Sequence, residues 1–250
     1  MIRSPIVKVL STIRNHGVKA LLMGGQACVF YGAAEFSKDT DIVLLAEPEN
    51  LARLRAALDE LVARQVYVPG LEIDALKRGH GVHFECAHPE AKGIRLDVMS
   101  KLRGVDPFES LWERRTTIED REGQLYDLLS LDDLVLAKKT QRAKDWPMLA
   151  RLVEAHYVER RGHPTEKQIR FWLRELRTES YLIDVANAYP ELARPALKTR
   201  PLLAFAMAHD SSGLETALME EERTERERDR AYWQPIRAEL EQMRRAPRNE

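Results

Sequence analysis

The sequence predicts an α/β protein: a small mixed sheet flanked by helices, followed by a helical second half. Up to residue 130, short apolar runs and strict alternations are separated by turn residues; from Leu131 onward apolar residues recur at three- and four-residue spacing. With 250 residues and 44% apolar composition the chain can build a sizeable core without disulfide staples, as one large domain or two modest ones. The expected division is a first domain over residues 1–130 and a helical domain over 131–250 that helps to close a cleft.

Taken in order, Ile2, Ile6, Val9, Leu10 and Ile13 are spaced as on a helix over residues 2–16, and Asn15-His16-Gly17 is a stop signal. Ala20 to Met23 is a continuous apolar run closed by Gly24-Gly25, the mark of a buried strand, and residues 26–31 read as a short helix. A strand is expected over residues 39–45. Beyond Pro48 and Asn50, the spacing of Leu51, Leu54, Ala57, Leu58 and Leu61 predicts an amphipathic helix packed on a sheet. Val82, Phe84 and Cys86 alternate with His83, Glu85 and Ala87, and Ile94, Leu96 and Val98 alternate with Arg95, Asp97 and Met99, as in two paired strands. Residues 111–118 and 124–128 flank the polar turn 119–123 as a further hairpin. Ser130 and Asp133 then form a capping-box-like start, with Asp in place of the preferred Glu or Gln. Helices are expected over 131–142, 145–161, 165–177, 179–188 and 214–245, broken by the Gly and Pro residues between them; the densely mixed charge of the last stretch suits a solvated helix or frayed tail.

Composition narrows the function classes. With 39 basic and 40 acidic residues, no global field draws the chain to nucleic acid or an anionic membrane, and any polyanion contact has to be a local patch. The N-terminal residues carry no apolar leader, and the longest apolar stretch, residues 20–34, is interrupted by Gly24, Gly25 and Gln26 and too short for a bilayer. Cys28 and Cys86 match no disulfide framework or C-x-x-C pattern, which fits core thiols in a reducing compartment. A cytoplasmic protein without a membrane partner is the expectation.

The chemistry concentrates in VKALLMGGQACVFYGAAEFSKDTDIVLL. On a strand, residues two apart share a face, so Asp39 and Asp41 stand about 6 to 7 Å apart at their Cα atoms. Two carboxylates side by side repel unless a cation or proton lies between them, and hard oxygen ligands of this kind suit Mg²⁺ (or Mn²⁺), with the rest of the shell supplied by water and substrate phosphates. Upstream, Gly24-Gly25 ends one strand and opens a helix, where a phosphate can approach the main chain closely. Strand, Gly-Gly, helix, turn and D-x-D together form a layout for a nucleoside triphosphate and its metal.

These residues resemble the nucleotidyltransferase superfamily of the DNA polymerase β type. The hydrophobic-Gly-Gly element stands as Met23-Gly24-Gly25 and the D-x-D element as Asp39-Thr40-Asp41-Ile42. A fuller match at Gly24, Gly25, Ala27, Tyr31, Gly32, Ser37, Asp39 and Asp41 is similar to the bacterial branch that includes AbiEii-type toxins, with a departure at Glu35, where that branch carries a basic residue. The resemblance implies a polymerase-β-type fold, an NTP substrate, and Asp97 as a third carboxylate that binds a second metal and activates the acceptor hydroxyl. It implies nucleotide-binding roles for Gly24, Gly25 and Ser37. It extends to SLDDLVLAKKTQRAKDW, where Lys138, Arg142 and Asp145 would share one helix face and Lys138, Arg142 and Lys144 would neutralise triphosphate charge. The acceptor it implies is tRNA or another RNA end, with a cognate antitoxin as protein partner. Two alternatives stand beside it: a non-catalytic nucleotide-binding or antitoxin-like module, and an antibiotic-modifying nucleotidyltransferase.

Two further patterns carry little. His80, His83, Cys86 and His88 suggest zinc, but His83 and Cys86 face opposite ways on the expected strand. Arg151 and His156 imitate the Arg-His pattern of HEPN-type ribonucleases, a spacing expected by chance in an arginine-rich chain.

Overall fold

The computed structural model describes residues 4–245, so the expected start of the first helix at Ile2 lies outside the described residues. The described residues fall into two compact units: residues 4–30, 34–137 and 232–245 in the first, 31–33 and 138–231 in the second.

The first unit holds a seven-stranded mixed sheet in the order β3-β4-β5-β2-β1-β7-β6. Its strands are β1 (Ala20–Met23), β2 (Thr40–Leu44), β3 (Ala63–Gln65), β4 (Val82–Cys86), β5 (Arg95–Met99), β6 (Thr116–Glu119) and β7 (Leu125–Leu128). Helices α1 (Ser4–Asn15), α2 (Gly24–Phe30), α3 (Pro48–Glu60), α4 (Ile73–Arg78), α5 (Phe108–Glu113) and α6 (Leu131–Ala137) belong to the same unit. Alternation decides which face is dry. Ile42, Leu96, Val98, Val82 and Phe84 are buried with Ile6, Val9, Leu51, Leu54 and Leu58 of α1 and α3, while Asp41, Arg95, Asp97 and His83 point the other way and stay partly exposed.

Several element boundaries differ from those the sequence predicts, each for a local reason. The second strand starts at Thr40, so Asp39 stands just ahead of the ladder. Helix α2 begins two residues early, at Gly24. Residues 108–113 form α5 rather than the first arm of a hairpin; only 116–119 pair with β7, around a turn in which the Asp120 carboxylate accepts from the backbone N–H groups of Glu122 and Gln124. Polar and charged sequence hides the three-residue β3 and the six-residue α4 from periodicity. The capping pair at the start of α6 forms as expected: Ser130 Oγ accepts from Asp133 N and donates to the Asp133 carboxylate, which Arg114 grips from the side.

The second unit is helical: α7 (Asp145–Arg160), α8 (Glu166–Glu175), α9 (Glu179–Ala188), α10 (Pro190–Ala196), α11 (Leu203–Met207) and the first part of α12 (Ser211–Arg245). Its core gathers Trp146, Leu149, Leu152, Val153, Trp172, Leu182 and Leu203. A capping box between Thr165 and Gln168 starts α8. At the other end of α8 the buried Arg200 donates to the carbonyls of Leu173 and Leu176 and to Glu221, satisfying acceptors that a helix end leaves open.

Candidate active site

The site is a row of side chains running across the sheet. Met23 of β1 stands opposite Asp41 of β2, Asp41 beside Asp97 of the parallel β5, and Asp97 opposite His83 of β4. In-register neighbours share a face and lie close enough for their side chains to meet. The period of two puts Arg95 on the same face as Asp97, and Asp39 enters from the loop ahead of β2. Asp41 and Asp97 therefore share one sheet face, with Asp39 in the loop just ahead of it. Asp39 is exposed, and Asp41 and Asp97 are partly buried.

The Gly24-Gly25 turn is fitted to this row. Gly24 has φ +68°, a conformation that costs any other residue strain, and a Cβ there would lie 1.9 Å from Asp41 Oδ2. The Asp41 carboxylate thus occupies the space that a side chain at position 24 would take. A Cβ on Gly25 would come within 2.7 Å of Ser37 Oγ, whose hydroxyl donates to the Asp39 carbonyl 3.2 Å away. Both glycines are required by close approach of the D-x-D segment and of Ser37, whose hydroxyl braces the loop at Asp39. Glu35 is exposed in the connecting loop.

Asp97 is held from two sides. His83 Nδ1 lies 2.8 Å and Arg95 Nε 2.7 Å from the same oxygen, Oδ1, and Arg95 Nη2 is 3.1 Å from His83 Nδ1. An ionised carboxylate only accepts, so the imidazole proton that points at it sits on Nδ1. Burial works to raise the Asp97 pKa, but the hydrogen bonds from His83 and Arg95 outweigh it and hold the carboxyl below its ordinary value. The hydrogen bond to Asp97 raises the Arg95 pKa, with a further contribution from the charge of Asp39.

The donor set suits a hard divalent cation in kind: carboxylate oxygens on one face, with the Gly24 turn leaving room for Asp41. Asp39 and Asp41 are the pair that would hold it. Among the described residues no group of three or more His, Cys, Asp or Glu side chains is arranged to hold a metal ion.

Lys138, Arg142 and Lys144 lie in the second unit, and the single helix face expected for Lys138, Arg142 and Asp145 is not formed. Helix α6 ends at Ala137 and α7 begins at Asp145. The connecting turn wraps around Asp145 instead: Thr140 Oγ1 donates to its Oδ2 at 2.5 Å, Arg142 Nε at 2.8 Å, and Lys138 Nζ stands 3.8 Å from Oδ1. A buried carboxylate that recruits three donors from the preceding turn overrides helical spacing. Lys144 is exposed at the N-cap of α7.

The zinc pattern disperses, since His83 pairs with Asp97, His88 accepts from Glu90 N and Cys86 is buried on the opposite face of β4. His156 is a packing residue: its Nδ1 accepts from Trp172 Nε1 at 2.9 Å, and its ring meets Phe171 and Trp172 edge-on. Sequence reasoning missed Arg95 and His83 as parts of the row. The alternation of β4 and β5 carried their facing, but not the register that brings both to Asp97. Among the described residues, no helix is long and apolar enough to cross a membrane.

No family model matches the chain, and no curated protein matches it. Among solved structures it is similar to a crystal structure of a proposed nucleotidyltransferase from H. pylori, at 17% identity and a TM-score of 0.39, over 88% of this chain and 92% of that one.

Proposed function

We propose that the chain is a divalent-metal-dependent nucleotidyltransferase that moves a nucleoside monophosphate from a nucleoside triphosphate to an acceptor hydroxyl. The observation that carries this reading is Asp41 standing beside Asp97 in the β2–β5 register, with the Gly24 turn fitted against the Asp41 carboxylate. Asp39 and Asp41 would hold Mg²⁺ or Mn²⁺, and Asp97 would join them once its Oδ1 is released. When bound, the metal supplies charge neutralisation on the triphosphate oxygens. Gly24 and Gly25 let the phosphates approach the main chain, and Ser37 braces the backbone of Asp39. Asp97 accepts the acceptor's hydroxyl proton as its oxygen bonds to the α-phosphorus; the bond from that phosphorus to the bridging oxygen breaks, and pyrophosphate leaves with the electron pair. From the toxin-like branch the proposal takes tRNA or another RNA end as the first acceptor to test, and an antitoxin as protein partner.

A second reading, a non-catalytic nucleotide-binding module, is favoured by one observation: Asp97 Oδ1 is already engaged by Arg95 and His83. One assay separates the two. The protein is incubated with each α-labelled nucleoside triphosphate, Mg²⁺, and RNA, protein lysate or aminoglycosides as acceptor, beside a variant carrying Asp39→Asn and Asp41→Asn. Transfer by the parent and a loss of about a hundredfold or more in the variant is expected, in the range seen when one electrostatic element of a site is removed. Nucleotide binding without transfer under every condition supports the second reading, and transfer that survives in the variant rejects the assigned carboxylates.

A further inference from the structure

The row does not end at Asp97. His83 of β4 stands opposite Asp97, the backbone N–H of Val66 donates to the His83 carbonyl at 2.9 Å just beyond β3, and Tyr67 follows. Val66 is 36% exposed and Tyr67 50%, and the Tyr67 ring meets the His83 ring at 78° with 6.0 Å between centroids. Single exposed apolar side chains are ordinary on a protein surface, but these two are adjacent, border the row and are fastened in place. Gln65 Nε2 donates to the carbonyls of Tyr67 and Pro69, at 2.7 and 3.0 Å, so the backbone beneath the ring is tied down. An aromatic ring held open beside a carboxylate row is a surface for another flat ring.

The place of Tyr67 along the row decides which substrate it meets. The Gly24-Gly25 turn lies at the β1 end, and the sheet runs from there through β2, β5 and β4 to β3. In a displacement at phosphorus the attacking and leaving oxygens lie in line on opposite sides, so with pyrophosphate at the β1 end the acceptor comes from the β4 side. Tyr67 stands beyond β4, two strand spacings or about 10 Å from Asp97 at the backbone. That is the span of one nucleoside, from a ribose hydroxyl at Asp97 to a base at Tyr67. The charges on this face disfavour a polycation: Glu85 is flanked in register by Arg64 on one side and Arg95 on the other, and Asp97 already accepts from two donors.

We propose that Tyr67, braced against His83, forms the acceptor subsite: its ring stacks on the base of the terminal nucleoside of an RNA, whose sugar hydroxyl is the one at Asp97. The proposal rests on the nucleotidyl-transfer reading given above and defines the acceptor by chemistry, a hydroxyl one sugar away from a flat heteroaromatic ring. Every base offers a π face, so the subsite accepts any of them and still favours a nucleoside over an aminoglycoside or a serine hydroxyl. Arg64, exposed on the same face, offers a cation to the phosphate that joins that nucleoside to its strand.

The test is equilibrium binding of a short single-stranded RNA, carrying 2-aminopurine as its 3′-terminal base, to the full chain in Mg²⁺; stacking quenches the fluorescence of that base. Tyr67→Phe keeps the ring and should bind and quench within about twofold of the parent, since the stack is unchanged. Tyr67→Leu keeps apolar surface without a flat ring, and should lose the quenching and bind about tenfold more weakly, the scale of one base–aromatic stack. Tyr232→Ala removes a tyrosine of similar exposure, 41%, from α12 and should change neither. Circular dichroism melts check that each variant is folded, and Tyr67→Ala replaces Tyr67→Leu should the latter fail that check. In label transfer to unmodified RNA, Tyr67→Leu should raise the acceptor KM about tenfold and leave the triphosphate KM within about twofold, because only the acceptor loses its stack. Absence of quenching in the parent, or quenching that survives in Tyr67→Leu, overturns the proposal. A shift in the triphosphate KM instead of the acceptor KM overturns it too, since the ring then holds the donor base, and so does free 2-aminopurine riboside binding as tightly as the RNA. Quenching that depends on Tyr67 in a protein that transfers no label supports the RNA-end subsite and removes only the transfer reading.

Discussion

Gly24→Ala tests whether the turn and the D-x-D strand form one device. Two penalties follow from the structure. The first is conformational: φ is +68°, and an L-residue in that region costs about 1–2 kcal/mol. The second is steric. A Cβ would lie 1.9 Å from Asp41 Oδ2, where a carbon–oxygen contact needs about 3.3 Å, so the carboxylate has to move by more than 1 Å or rotate off the row. Gly93→Ala separates the two, because Gly93 has φ +77° and nothing within 4 Å of its Cβ position. Gly93→Ala should lose about 1–2 kcal/mol, or roughly 2–8 °C in Tm for a chain of this size, and Gly24→Ala should lose more, because the steric penalty adds to the conformational one. Only Gly24→Ala should lose nucleotidyl transfer, by about a hundredfold, the scale of a 1 Å misplacement of a reacting or ligand group. The measurements are a calorimetric melt and initial rates of label transfer on matched samples. If Gly24→Ala melts like Gly93→Ala and transfers label within twofold of the parent, the fit of the turn against Asp41 has no bearing on the chemistry.

Three other expectations follow from groups away from the reacting atoms. Thr40 is wholly buried on the core face of β2 and its hydroxyl has no hydrogen-bond partner, so Thr40→Val should raise stability by about 1 kcal/mol, seen as a higher denaturant midpoint at unchanged slope. Arg200→Met removes the donor shared by the Leu173 and Leu176 carbonyls and Glu221, and should cost about 3 kcal/mol, read as early loss of helical signal in a melt. Hydrogen bonds from Lys8 and His16 hold the Glu60 carboxyl down at about 2, against an ordinary 4.5. A depressed folded-state pKa gives stability that is present above the unfolded value and lost as pH falls through the folded one. The Tm difference between the parent and Glu60→Gln should therefore be full above pH 4.5 and vanish toward pH 2, a profile that a pH series of melts would show or refute.

How much of this could be read from the sequence depends on whether the signal was local. The strand ending at Gly24-Gly25 and the alternation of β4 and β5 are local patterns, and β1, β4 and β5 follow them closely. Helix α9 keeps its expected bounds, because its stop at Ala188 comes just ahead of the strong breaker Pro190. The turn between α6 and α7 was misread because its structure answers to one buried carboxylate, Asp145, and burial of a charge is invisible to periodicity. Strand β3 is an edge strand of three residues with two of them exposed, and its pairing is paid for by β4 rather than by its own side chains.

The candidate site shows the same division more sharply. D-x-D and Gly-Gly are local, and chemistry alone makes two neighbouring carboxylates worth singling out. Asp97 could be guessed as an acid on an apolar strand. What no local pattern carries is register: a shift of one residue between β4 and β5 would turn His83 away from Asp97 and leave Arg95 as its single partner. Because the register is as it is, one oxygen of Asp97 receives both groups.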